Sequence, residues 1–488
     1  MALLTVAALV LVGCTRHNPA SCCTSDAQCQ TLGLDQMYAC ATNLVCDPEG
    51  ACVAPECQTA ADCTSPGAPL CVGQLCVASC TGDGDCDGIA GMSYCSSEGT
   101  CVACTENSQC TSDAPVCDGT SHSCRGCAED SECSGGVCLE ETGTCSEDAN
   151  VVFVISIGGI DAGTCTRASP CASFQYGLQQ INTTRNVLYI EGGVFSIGST
   201  PVTIDKGVYV DASETLLTAS GSGALFNVTS IQPVTISNAS LSRNVTVGSF
   251  GRVTFYNMQF TGAVLSTSGG TLAVEDSKIT GGGVTCNNGT SSLDGVTLDA
   301  QATNNAIETT DCTVTIRRSN LKTSADQVLG VTGGTLTVEN NLIVQTDNGQ
   351  DLMAILQVAP GSTLRFNTIV TTALASNDGS ALACDSGLDA TSNIFAYESM
   401  HPITDTSLGC TTRYSLFDSV ALSSETVGTM NKVGDLSTFF VDTGSGNYHL
   451  APSSPALQSG EPNLGVTTDF DGNPRPTMQP DIGAFEAQ

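Results

Sequence analysis

From Pro233 to Val344 the apolar positions of the chain return in one fixed frame. Ile236, Phe255, Val274, Leu293, Ile316 and Val338 make one column. Two residues earlier stand Val234, Val253, Leu272, Ser291, Val314 and Leu336, and five residues later Leu241, Phe260, Ile279, Leu298, Leu321 and Ile343. The repeat is about 19 to 23 residues long, which suits one solenoid coil. Apolar residues two apart define one face of a strand, and the third apolar position marks a second strand after a bend. A unit this short cannot bury its apolar face alone, so the pattern predicts coils stacked on one another in an all-β solenoid.

The polar positions follow the same frame. Thr235, Thr254, Ala273, Ser292, Thr315 and Thr337 form one outward column. Asn238, Asn257, Asp276, Gly295, Arg318 and Asn340 form another, placed where stacked Asn side chains would hydrogen-bond from coil to coil at the bend. Both are read as structural. A third column runs through Tyr256, Glu275, Asp294, Arg317, Glu339 and Asn367, rising about 4.8 Å per coil. Its bland reading is a solvated ladder in which Arg317 offsets the carboxylates. Its sharper reading makes Glu275, Asp294, Arg317 and Glu339 candidate catalytic residues, as a Ca²⁺ site or an acid pair for glycoside cleavage. The ladder is the preferred reading. Cysteines agree with stacking, because Cys286 and Cys312 stand one coil apart, as do Cys384 and Cys410; both pairs are expected as disulfides.

Before the repeat, Val151 to Ile157 reads as a strand. A glycine-rich loop to Cys165 follows, and then Phe174, Leu178 and Ile181 at helical spacing. A short helix here would cover the open first coil, and Cys165 with Cys171 would tie the loop leading into it. This opening resembles that of secreted right-handed parallel β-helix proteins of the pectin lyase-like superfamily. The resemblance implies a right-handed parallel β-helix and, in the enzymes of that group, action on polysaccharide. Polygalacturonase motifs are missing here: no Asp-Asp pair and no Arg-Ile-Lys occur. Few basic residues lie in the later coils to bind a polyuronate, and the chain has no Trp for sugar stacking.

Upstream, a four-cysteine unit recurs five times, opening on pairs six apart: Cys23/Cys29, Cys57/Cys63, Cys80/Cys86, Cys104/Cys110 and Cys127/Cys133. The third cysteines are Cys40, Cys71, Cys95, Cys117 and Cys138, and the fourth are Cys52, Cys76, Cys101, Cys124 and Cys145. Few large apolar residues lie between them, so disulfides must supply what burial cannot, and three pairings per unit remain open. The units resemble short cysteine-rich repeats of secreted bacterial surface proteins and, more loosely, the Dickkopf N-terminal cysteine-rich region. That implies a spacer or protein-binding stalk rather than catalysis.

Twenty-nine cysteines imply an oxidising compartment. Forty-nine acids against fifteen Lys plus Arg give a formal charge of -34, which excludes nucleic acid and anionic lipid as electrostatic partners. Four scattered histidines argue against zinc. Ala2 to Val12 has the length and apolarity of a secretory h-region and ends on Leu11-Val12-Gly13-Cys14. This resembles a bacterial lipobox, which implies a lipid on Cys14; with Thr15 following, the enterobacterial sorting pattern implies the outer membrane. The n-region departs from the usual pattern in having no Lys or Arg.

At the other end, the stretches Gly444–Ala456, Asp469–Pro476 and Pro480–Glu486 resemble the terminal segment of many bacterial extracellular β-helix proteins. That segment is expected to close the last coil. Gln458 stands where an Asp is usual. Asp469 and Asp471 could touch Ca²⁺, although a turn before Pro474 is the simpler reading. The organisation expected is therefore a signal peptide at 1–13, a cysteine-rich stalk at 14–148, a β-helix at 149–432 and a coil-closing segment at 433–488. A lipid-anchored surface protein that binds a polysaccharide or protein ligand without catalysis and without a required cofactor fits best. A polysaccharide lyase or hydrolase, and a plain spacer, are the alternatives.

Overall fold

The computed structural model describes residues 91–487 apart from short loops at 222, 302–304, 325–326, 347–351, 372–379, 385–386, 398–400, 406–410 and 419–427. Before residue 91 it describes only 22–23, 39–41, 50–53, 70–72, 75–77, 80 and 82–86. Cys14 and the segment around it therefore lie outside the described residues, as does Cys410. Two compact units divide after Ser146.

In the first unit the cysteines themselves are the core. Cys80, Cys86 and Cys101 cluster with Cys95, and Cys127, Cys133 and Cys138 cluster with Val116 and Cys145. Pairing is first to third and second to fourth in each described module: Cys80–Cys95 with Cys86–Cys101, Cys104–Cys117 with Cys110–Cys124, and Cys127–Cys138 with Cys133–Cys145. The polar residues inside each opening pair have a structural duty. Asp83, Asn107 and Asp130, each three residues after a first cysteine, accept from the backbone N–H of the third cysteine at 2.8, 2.9 and 2.8 Å. What reads in sequence as solvated acid is a staple holding a 3₁₀ turn to its hairpin.

In the second unit the coils from Arg252 to Asp405 carry three strands each, while in the two coils before them the first and second strands run together as Val208–Thr218 and Val234–Leu241. Arg252–Tyr256, Gln259–Thr261 and Val264–Ser268 make one coil, and Thr271–Glu275, Lys278–Thr280 and Gly283–Asn287 the next. First and second strands join a 23-stranded sheet, and third strands a ten-stranded one, with parallel pairing from coil to coil. Register does not slip: Thr271, Thr290, Thr313 and Thr335 are successive partners although the coils differ in length. The extra residues sit between second and third strands, as from Ala300 to Ile307 and Thr323 to Leu329. That corner absorbs the extra residues of these coils; elsewhere the corner from Leu356 to Ser362 is longer, and the register shifts once at the bend after the first strand, between Asp211 and Thr215.

That bend explains the Asn-rich column. Asn238, Asn257, Asp276, Gly295, Arg318, Asn340, Phe366, Ser392 and Tyr414 all have φ between 44° and 66°. This left-handed conformation favours Gly, Asn and Asp, so backbone geometry selects the residue type. Side-chain stacking of the expected kind occurs only at its start, where Asn257 donates to Asn238 at 2.7 Å and Asn238 to Asp211 at 3.1 Å.

The continuous ladder lies one residue further on, inside. Asn341, Asn367 and Asn393 are fully buried, and each accepts the bend N–H of the coil before: Ser319 N to Asn341, Asn341 N to Asn367 and Asn367 N to Asn393, at 2.9 to 3.0 Å. Serines continue the series at Ser277, Ser319 and Ser415, which accept from Met258 N, Val296 N and Asn393 N. A bend turns backbone amides away from the strand ladder, and buried amides must find partners.

The N-terminal end of the solenoid is covered. The helix Phe174–Gln180 is capped by Ser173, whose hydroxyl accepts from Tyr176 N at 3.2 Å. It drops Phe174 and Leu178 into the coil core. Gly177 is obligatory, since a Cβ there would lie 2.5 Å from Val154 Cγ2 and 2.9 Å from Leu188 Cδ1. Disulfide Cys165–Cys171 closes the loop before the helix, and Cys286–Cys312 joins adjacent coils inside the core.

The C-terminal segment packs on the flank rather than over the end. Phe439, Phe440, Tyr448, Leu450, Ile482 and Phe485 bury the outer faces of Leu342, Val344, Val370, Ile394 and Leu416. This is why Leu342–Gln345 and Thr368–Thr371 do not alternate: both of their faces are covered.

Candidate functional site

The third column stands in register through Tyr256, Glu275, Asp294, Arg317 and Glu339. Its next member is Arg365, not Asn367, which belongs to the buried ladder. Opposite charges meet between coils. Arg317 Nε donates to Glu339 at 3.1 Å, and Arg318, at the bend, donates to Asp294 at 2.8 Å. Higher up, Asp389 lies between Arg365 and Arg413; burial pulls its carboxyl upward, but hydrogen bonds from Arg413 and Thr391 hold it below the usual range. Arg413 also binds Glu461 of the C-terminal segment at 2.6 Å.

Asp294, Arg317, Arg318, Glu339 and Asn340 form one wall of a cleft of about 290 Å³, and Gly465 to Thr468 form the other. Glu275 does not line it. The geometry therefore separates Glu275 from the other three candidates. It adds Arg318, Asn340 and a strap from more than a hundred residues downstream.

Chemically the cleft is a balanced surface. Arg317 and Arg318 have side chains 51% and 42% exposed, and each holds one carboxylate. Such exposed pairs contribute only about 0 to 1 kcal/mol each, so a ligand can reorganise them. A cation placed between Asp294 and Glu339 would face both guanidinia, which does not fit Ca²⁺. The Asp469 and Asp471 pair does not fit it either. Asp469 is buried and accepts from Asn473 N, Asn473 Nδ2 and Glu486 N, while Asp471 pairs with His449 at 2.8 Å. These contacts make the run a stapled turn.

The strap is held by a buried clasp. Arg475 and Glu486 form an ion pair with side chains 1% and 7% exposed, and Arg475 lies over the Phe366 ring at 4.1 Å. Burial lowers the Arg475 pKa and pushes Glu486 up to about 7 from its ordinary 4.5, Arg475 opposing the latter shift. Asp481 and Asp469 add to it. With the folded pKa above the unfolded one, this carboxyl favours the folded clasp fully below pH 4.5 and loses that contribution as pH rises through about 7. Amide protection of Ile482 and Ala484, corrected for intrinsic exchange, should fall across that window. Glu486→Gln should flatten the dependence.

No protein family matches the chain, and no curated protein does. Seven chains of solved structures match, two of them as follows. Pectate lyase Pel9A is 13% identical, with 69% of this chain and 96% of that one covered and a TM-score of 0.46. The Dettilon tailspike protein is 11% identical, with 58% and 68% covered and a TM-score of 0.30. The likeness is to the course of a β-helix and carries nothing about the chemistry of the cleft. The chain is a parallel β-solenoid protein with a disulfide-rich N-terminal region.

Proposed function

We propose that this is a non-catalytic binding module of a secreted, surface-held protein, and that its cleft takes a neutral, hydroxyl-rich glycan. The observation that carries the reading is the charge balance of the cleft, two guanidinia each engaged by one carboxylate. Sugar hydroxyls both donate and accept, so they can bind carboxylate and guanidinium together without displacing a counter-charge. A polyuronate would have to compete with Asp294 and Glu339 and approach a chain of charge -34. Catalysis by an acid pair finds little support, because Asp294 and Glu339 are each committed to a guanidinium.

The disulfides fit an extracytoplasmic location. Acylation at Cys14 would hold the chain at the bacterial outer surface; mass spectrometry showing an unmodified Cys14 in cell-derived protein would remove that part of the reading.

The test is calorimetric titration with neutral and acidic oligosaccharides, with and without Ca²⁺. A neutral glycan should bind, and Arg317→Ala should weaken it about tenfold, the scale of one hydrogen bond to a charged group. Release of unsaturated or reducing ends by the wild-type chain would establish an enzyme instead. Binding of no glycan would turn the reading toward a protein ligand.

A further inference from the structure

The wall of the cleft and the buried clasp share one residue. Asn340 Nδ2 donates to Thr468 O at 2.7 Å, and Asn340 Oδ1 accepts from Arg475 Nη2 at 2.9 Å. Arg475 also donates its backbone N–H to Thr467 O at 2.8 Å. Its guanidinium reaches Asp481 O, Gly483 O and Ala484 O at 3.1 to 3.3 Å, and it closes on Glu486. Arg475 does not line the cleft, yet it holds two residues that do, Asn340 and Thr467, and through Asn340 reaches a third, Thr468. The strap has a second hold, where Thr468 bridges Pro474 and Asp469 staples Asn473. Those contacts set the shape of the turn. They do not set its distance from the coil, to which the Asn340 link and the clasp tie it at this point, while upstream Glu461 is tied to Arg413 and Ser392.

We infer that Arg475 is a positioning residue for the cleft: through Asn340 it sets how closely the strap stands against the Arg317–Glu339 column, and ligand affinity is coupled to the seating of the clasp. This rests on the reading of the cleft as a ligand site. By linkage, whatever the ligand gains from a seated strap it returns as stability of that strap, so bound glycan should protect Thr467 and Thr468.

Two substitutions cut the link at different points. Arg475→Lys keeps a cation beside Glu486, but an ammonium cannot hold the carboxylate, three carbonyls and Asn340 together. Asn340→Gly removes the side chain while accepting the φ of 55° at that bend. With a neutral oligosaccharide bound by the wild-type chain as probe, each variant should lose about tenfold in affinity with the melting temperature of the coils little changed. The double variant should lose no more than the worse single one, because both sever the same path. Additive losses, or a Lys variant that binds as the wild type while Thr467 and Thr468 exchange faster, would overturn the coupling and leave the ligand site standing. Failure of the wild-type chain to bind any oligosaccharide would overturn the ligand site itself. Hydrogen exchange at Thr467 and Thr468 in the unliganded variants separates the two cases.

Discussion

Replacing Asn367 by leucine should destabilise the solenoid by about 4 kcal/mol, although the two side chains are close in volume. Asn367 accepts from Asn341 N at 3.0 Å and Asn341 Nδ2 at 2.9 Å. It donates to Val338 O, Arg365 O and Asn393 Oδ1 at 2.9 to 3.0 Å. Leucine would leave Asn341 N buried and unpaired, at about 1 to 3 kcal/mol, and would take one of several partners from Asn341 Nδ2, Arg365 O and Asn393 Oδ1, at about 1 kcal/mol each, with relaxation recovering part. Urea denaturation should show a lower midpoint. Asn367→Ser should cost less than half as much, since Ser277, Ser319 and Ser415 accept from the same bend amide in their own coils. A leucine variant within 1 kcal/mol of the wild type would mean that the ladder fills space and does not hold the bend.

The inward frame was legible because it obeys a strict alternation that only a stacked solenoid satisfies. The ladder was not, although Asn341, Asn367 and Asn393 recur at the spacing of the coil-linking cysteines. Attention falls first on the Asn, Asp and Gly of the bend, whose identity comes from positive φ. The slip that placed Asn367 in the charged column has the same origin. Leu364-Arg365-Phe366-Asn367 matches Val338-Glu339-Asn340-Asn341 residue for residue, but Phe366 sits at φ 53°, where a bulky side chain is unexpected, and so conceals the match. Only half of the cleft could be read for a different reason. The column is periodic, whereas Gly465 to Thr468 reach it through a fold-back with no period. The one local trace was loss of alternation in Leu342-Ile343-Val344 and Thr368-Ile369-Val370, strands covered on both faces.

In the cysteine modules the expected effect is larger in relation to what remains. Cys133→Ser with Cys145→Ser should unfold the module Cys127–Cys145 while leaving the solenoid intact. The bond closes a separation of 12 residues, for which chain entropy gives about 3 kcal/mol. The module buries only Val137 and its own sulfurs as apolar core, with Val116 of the preceding module packed against them, so burial cannot replace that sum. What would remain as cross-links is Cys127–Cys138 and the Asp130 staple to Cys138 N at 2.8 Å, one part-buried hydrogen bond contributing about 1 kcal/mol. A Glu-specific protease reports the outcome directly, since Glu129, Glu132, Glu140 and Glu141 lie inside the module. The wild type should resist, and the double variant should be cut there while the coils from Val151 onward survive as one fragment. Resistance in the variant would show that backbone staples alone define the module. The acidic residues would then be its framework, and the disulfides would guard it against reduction and unfolding rather than create it.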